Sequence, residues 1–265
     1  MHHGRVNDDY ARPATTLKVT WWGHATVLIE DGARVLTDPV LTARAMHLHR
    51  RAGGTPSRET RNCDVVLISH LHADHLHLPS LALLRPGTGV LLPRGGARLL
   101  RGLRLEAVEV SAGDTVAVGD ATVTAVPATH SDRRWPWSST RALAVGYVVT
   151  GSGATYFAGD TAAFPEMATL HPHLDVALLP VGGWGPWLRG QHLDPASAAA
   201  CLRLLHPRIA VPIHYGTFWP HGMARVRPAA FYEPGLRFAA YAESRAPAVD
   251  VRVLSPGTST ALVLR

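Results

Sequence analysis

Ser69-His70-Leu71-His72-Ala73-Asp74-His75 follows directly on Val65-Val66-Leu67-Ile68 in this chain of 265 residues. The apolar run suits a strand buried on both faces, and such a strand delivers the next residues to a loop at the sheet end, where functional groups gather. That loop holds four potential metal ligands, His70, His72, Asp74 and His75. In an extended or turning segment, His70 and His72 are two apart and point the same way. Asp74 and His75 then turn back to face them. Imidazole and carboxylate in one cluster suit zinc and related divalent cations. The bland alternative is a solvated, histidine-rich loop.

Working outward, strand-like runs precede the motif at Leu17–Trp21, Thr26–Glu30 and Ala33–Thr37, the last two joined by the hairpin signal Asp31-Gly32. The stretch from Arg50 to Asn62 is polar and reads as a surface loop. Further strands are expected at Val90–Leu92, Ala107–Val110, Thr115–Val118, Ala121–Val126, Leu143–Val149, Thr155–Ala158, Val176–Leu179 and Ile209–Ile213. Helices are expected at Ser80–Leu84, Gly96–Leu103, Pro165–Leu170 and Pro195–Leu205. The last has a cap in Asp194, a proline at its first position, and one apolar face formed by Ala198, Cys201, Leu202 and Leu205. Val251–Leu254 and Thr260–Leu264 read as a hairpin around Ser255-Pro256-Gly257. Strands and helices intermix without a linker, so the expectation is a flexible extension over residues 1–15 and one α/β domain over 16–265.

Composition narrows the function classes. Hydrophobic residues at 46% and charged residues at 17% describe a globular chain rather than a disordered one. The net charge of +6 is almost all arginine, Lys18 being the sole lysine. The arginines are dispersed, so nucleic acid is not an expected partner. Two cysteines make no disulfide framework, and Cys201 reads as a core residue. Neither a secretory leader nor a run of ~18 apolar residues is visible, which makes a cytoplasmic location without integral membrane association the expectation. Histidine is the outlier, with 16 copies.

The order His-x-His-x-Asp-His resembles the signature of the metallo-β-lactamase superfamily, whose fold is a four-layered αβ/βα sandwich. That resemblance implies a pair of divalent metal ions, zinc first, with manganese or iron as alternatives. It implies that His70, His72 and His130 (in Pro127-Ala128-Thr129-His130) hold one metal. Asp74, His75 and His214 (in Pro212-Ile213-His214-Tyr215-Gly216) would hold the other, and Asp160 (in Ala158-Gly159-Asp160-Thr161) would bridge them. A bridging carboxylate offsets repulsion between two cations, and a metal-bound water with its pKa lowered to about 7 gives a hydroxide nucleophile. Asp74 would be catalytic as well as ligating.

Further motifs narrow the resemblance. Trp21-Trp22-Gly23-His24-Ala25-Thr26, Thr37-Asp38-Pro39, Gln191-His192-Leu193-Asp194-Pro195 and Ile213–Phe218 resemble one branch of that superfamily, with the match running from about Val19 to His221. The branch holds the N-acyl-phosphatidylethanolamine-hydrolysing phospholipase D enzymes and the ascorbate-6-phosphate lactonases. It implies cleavage of a phosphodiester or of an anionic ester or lactone, with His192 as a proton donor to the leaving group or a polar contact. The other reading of His192 is a loop histidine held by backbone groups. His24 and Asp38 read as groups that fix ligand tautomers or as turn formers, and His47 and His49 as surface residues. Arg133, Arg134, Trp137, Trp184 and Arg189 are candidate contacts for a small anionic substrate with an apolar portion, the alternative being that the tryptophans pack these loops onto the core. The competing functions are a metal-dependent nuclease, marked by salt-sensitive retention on nucleic acid, and a non-catalytic binding protein of the same fold.

Overall fold

The computed structural model describes residues 15–135, 137–183, 190–223 and 225–264. Its first part runs β1 (Thr15–Gly23), β2 (Thr26–Glu30), β3 (Arg34–Thr37), β4 (Arg44–Ala45), β5 (Leu48–Arg50), β6 (Val65–Leu67), α1 (Leu78–Leu81), β7 (Gly89–Pro93) and β8 (Glu106–Val110). There follow β9 (Thr115–Val118), β10 (Ala121–Pro127), β11 (Val145–Thr150), β12 (Ala154–Phe157), β13 (Val176–Pro180) and α2 (Pro195–Leu205). The chain ends with β14 (Ile209–Ile213), β15 (Phe218–Pro220), α3 (Pro228–Tyr232), α4 (Pro234–Arg245), β16 (Asp250–Val251) and β17 (Thr258–Leu264).

Two seven-stranded mixed sheets result, in the orders β17-β1-β2-β3-β6-β7-β8 and β16-β14-β13-β12-β11-β10-β9. A third, small sheet has the order β15-β5-β4. Alternation along the buried strands builds the layers. Val65 and Leu67 of β6 point into the core between the sheets, while Val66 and Ile68 point out toward Leu81 and Leu100. Leu178 and Val211 enter the same central core, whereas Ala177, Leu179 and Ala210 face Cys201 and Leu202 of α2 and Phe238 of α4. Helices thus cover both outer faces, giving the metallo-β-lactamase αβ/βα sandwich.

Several local expectations change. The C-terminal strands make no hairpin with each other: β16 pairs parallel with β14, and β17 pairs antiparallel with β1 in the other sheet. Ala97–Leu100 and Pro165–Thr169 are 3₁₀ turns, and α1 is a single turn. Glycines at 95, 96 and 102 bracket the first of these and leave no room for α-helical propagation. β11 starts at Val145, which pairs with Pro127 at the end of β10, and the exposed Leu143 lies outside it. The stretch 50–62 is no simple surface loop: Arg50 lies in β5 and Thr60 is buried. Thr15 already belongs to β1, and the remainder of the expected N-terminal extension lies outside the described residues.

Candidate metal centre

The centre forms where several strands end. His70, His72, Asp74 and His75 follow β6; His130 follows β10; Asp160 follows β12; His214 follows β14. His24 occupies the β1–β2 turn and Asp38 the residue after β3. His24, Asp38 and His214 all have positive φ, at 53°, 31° and 64°. Non-glycine residues rarely adopt this left-handed backbone, and it is sustained where surrounding contacts over-determine it.

Each ligand candidate is aimed by a second group. Asp38 Oδ1 accepts from the Ser69 amide at 2.8 Å, and Asp38 Oδ2 accepts from the Ser69 hydroxyl at 2.5 Å and from His75 Nδ1 at 2.7 Å. Since the Ser69 hydroxyl donates to Asp38, it accepts from His70 Nδ1 at 2.9 Å. His214 Nδ1 donates to the Gly182 carbonyl and His130 Nδ1 to the Gln191 carbonyl, both at 3.0 Å. Nδ1 is therefore the donor in all four rings, which leaves Nε2 of His70, His75, His130 and His214 facing inward.

Those inward atoms crowd one another. His70 Nε2 is 2.9 Å from His72 Nδ1, which is 3.2 Å from His130 Nε2. His75 Nε2 and His214 Nε2 are 3.1 Å apart, and each is within 3.3 Å of an Asp160 oxygen. His24 Nε2 stands 3.3 Å from Asp74 Oδ2, and His192 Nδ1 stands 3.4 Å from Asp160 Oδ2. Asp160 Oδ1, His24 Nε2 and His192 Nδ1 are buried with no hydrogen-bond partner among the described residues. Convergent lone pairs with orphaned buried polar atoms are what cations between these groups would satisfy, so the residues fit a metal. Among the described residues four groups could hold a cation: His70/His72/His130, His24/Asp74/His75/His214, Asp38/His70/His75 and His130/Asp160/His192.

Electrostatics agree. Burial drives His70 well below the ordinary imidazole range, takes His72 to about 4 and His214 to about 3, and lowers His130, keeping these rings in the neutral form that binds metals. Burial opposes charge on His75 too, yet Asp160, Asp38 and Asp74 outweigh it and push it well above that range. Burial would raise Asp74 and Asp160. Neighbouring histidines, His75 first for Asp74 and His214 first for Asp160, overcome it and hold both carboxyls well down.

Arg134 Nη1 donates to the carbonyls of Leu71 and Leu76 at 2.8 and 3.3 Å, bracing the metal loop, and Arg133 Nη1 donates to the Ser138 carbonyl. Trp137 is 82% exposed and stacks on Trp135. Trp184 and Arg189 lie outside the described residues. Ser69, to which its residue type alone assigns no role, is the link between Asp38 and His70. Its place directly before the first histidine was the available signal. His49 packs on His221, with ring centroids 4.4 Å apart, away from the centre.

Residues 33–215 match the beta-lactamase superfamily domain, and the chain belongs to the metallo-β-lactamase superfamily. More particularly, it is similar to UPF0173 metal-dependent hydrolases. One from Methanopyrus kandleri is 34% identical over 77% of this chain and 86% of its own. Another, from Archaeoglobus fulgidus, is 30% identical over 92% and 98%. Among solved structures, Igni18, a metallo hydrolase from Ignicoccus hospitalis, superposes with a TM-score of 0.72 at 26% identity, covering 95% of this chain and all of that one. The class is that of metal-dependent hydrolases.

Proposed function

We propose that this protein hydrolyses a phosphodiester, or an anionic ester or lactone, at a pair of divalent cations, zinc by preference. The observation that carries the reading is the pair of inward-facing imidazole sets that share Asp160. His70, His72 and His130 would hold one cation. Asp74, His75 and His214 would hold the other, with Asp160 between. Bound cations of this kind supply Lewis acidity and lower the pKa of a water enough to give a nucleophile near neutral pH.

The chain's own groups do the rest. The Asp38–Ser69–His70 and Asp38–His75 bonds hold two rings in one tautomer, so no reorientation is needed during turnover. His24 approaches Asp74 and orients its carboxylate. His192, whose ring centroid lies 4.7 Å from that of His130, would hand a proton to the departing oxygen. The segment carrying Arg133, Arg134 and Trp137 is the proposed rim for a small, anionic substrate. Among the described residues no helix is long and apolar enough to cross a membrane. A cytoplasmic location is part of the proposal.

The test is turnover by protein loaded with zinc, manganese or iron, using bis(p-nitrophenyl) phosphate alongside anionic esters and lactones. Turnover of at least one substrate, abolished by chelation and restored by metal, is expected. No turnover by protein carrying stoichiometric metal would overturn it.

A further inference from the structure

Arg50 sits in β5 of the small third sheet, in a stretch whose polarity suggests solvent, yet its guanidinium is largely buried. Among the described residues it has no carboxylate partner. Its Nη1 donates to the Trp22 carbonyl at 2.9 Å and its Nη2 to the Val40 carbonyl at 2.8 Å, with Nε 3.5 Å from the Thr42 carbonyl. Trp22 lies two residues before His24, and Val40 two residues after Asp38. One planar fork thus ties together the two turns whose left-handed residues face the metal centre.

The same arginine acts from its face. Its guanidinium carbon lies 4.6 Å from the centroid of the Phe218 ring, and the Phe218 ring meets the His24 imidazole edge-on at 5.8 Å. Phe218 pairs with Arg50 across β15 and β5. The neighbouring Thr217 hydroxyl accepts from the His24 amide at 2.9 Å. Crowding leaves no slack: a Cβ on Gly23 would lie 2.5 Å from Thr217 and 3.1 Å from Arg50 Nη1. The contacts with Phe218 and Thr217 on this side of His24 thus come from β15 and the residue just before it.

We propose that Arg50 is a positioning residue for the Asp74/His75/His214 pocket, holding the His24 and Asp38 turns at the spacing that lets Asp38 fix His75 and His24 meet Asp74. This deepens the metal-site reading and rests on it. A buried cation without a carboxylate is costly unless its donors are satisfied. Three backbone carbonyls and an aromatic face satisfy this one. The arrangement converts the fork's rigidity into fixed distances between two loops, which a lysine, with its single flexible nitrogen, would not reproduce.

The test uses Arg50→Met and Arg50→Lys in the full chain, each compared with the parent and also placed in a His72→Ala background that disables the other pocket. Zinc affinity is read by chelator competition, and the His75 ring proton shared with Asp38 by imidazole NMR. Both substitutions are expected to weaken zinc in the His72→Ala background about 10–100-fold, the range for outer partners of metal ligands, with Lys less damaging than Met. They should also broaden or shift the His75 proton. Parent-like zinc affinity together with an unchanged His75 signal would overturn the proposal. Should Arg50→Met fail to fold, Arg50→Lys decides by the same readings. Failure of the parent itself to bind zinc would defeat the metal reading, and the His75 signal, compared between parent and variants, would still decide the role of Arg50.

Discussion

Asp38 Oδ2 lies 2.7 Å from His75 Nδ1, and both side chains are fully buried. The same carboxylate receives the Ser69 amide and hydroxyl, so one group sets the geometry of two ligand-bearing rings. Asp38→Asn keeps the size but replaces one acceptor with a donor. We expect the folded variant to hold metal about 10–100-fold more weakly, measured by competition with a chromogenic chelator. Wild-type affinity would show that the carboxylate does not orient the ligands.

Asp74 and His192 should fail differently. Asp74→Ala removes a group from the Asp74/His75/His214 pocket and is expected to reduce turnover to background. His192→Ala removes a proton donor at the edge of the centre, and losses of roughly 10²–10⁴-fold are typical for such a group. Steady-state rates of the two folded, metal-loaded variants would decide. Equal residual activity would contradict the roles assigned here.

Arg134 braces the metal loop through the carbonyls of Leu71 and Leu76. Arg134→Ala should therefore speed the stripping of metal by a chelator several-fold, whatever it does to substrate affinity. Stopped-flow transfer of zinc to a fluorescent chelator measures this. An unchanged rate would mean the loop holds itself.

The cap of α2 gives a pH-dependent contribution. Asp194 Oδ1 accepts from the Ser197 amide at 2.7 Å, and Ser197 Oγ accepts from the Asp194 amide at 2.8 Å. Burial would raise the Asp194 carboxyl, but the Ser197 and Ala196 donors outweigh it and lower it below the usual range. A carboxyl depressed on folding stabilises fully above its unfolded value, about 3.9, and loses that contribution as pH falls through the folded one. Asp194→Ala should cost about 1 kcal/mol near neutral pH, with the gap to wild type closing below pH ~4. Thermal melts across pH 3–7 would show it. A gap independent of pH would mean the cap acts through packing instead.

What the sequence disclosed and what it withheld divide along one line. Local signals carried far: the run Val65–Ile68 with its histidine motif, and α2, whose cap, first-turn proline and apolar face bound it at Pro195 and Leu205 in the structure. Pairings distant in sequence left no such trace. Ser255-Pro256-Gly257 has every mark of a hairpin turn, yet its flanking strands join opposite sheets, because β1 and β14 each leave an edge to be filled. The helix α4 went unforeseen, its buried side reduced to Pro234, Gly235, Phe238 and Ala242. Arg50 looks like a surface residue by type, and only the fold reveals three carbonyls converging on it. At the centre, residue type and order brought the ligand candidates to notice. The Gly182 and Gln191 carbonyls, which carry no side-chain signature, could not be found that way.

The most direct measurement of the central claim is the metal content of the reconstituted, desalted protein, by elemental analysis, beside variants of each ligand set. Two equivalents of divalent metal per chain are expected for the wild type, falling to about one in His72→Ala and in His214→Ala and to none when the two are combined. A wild-type protein that retains no stoichiometric metal, or variants that retain as much as the parent, would contradict the account.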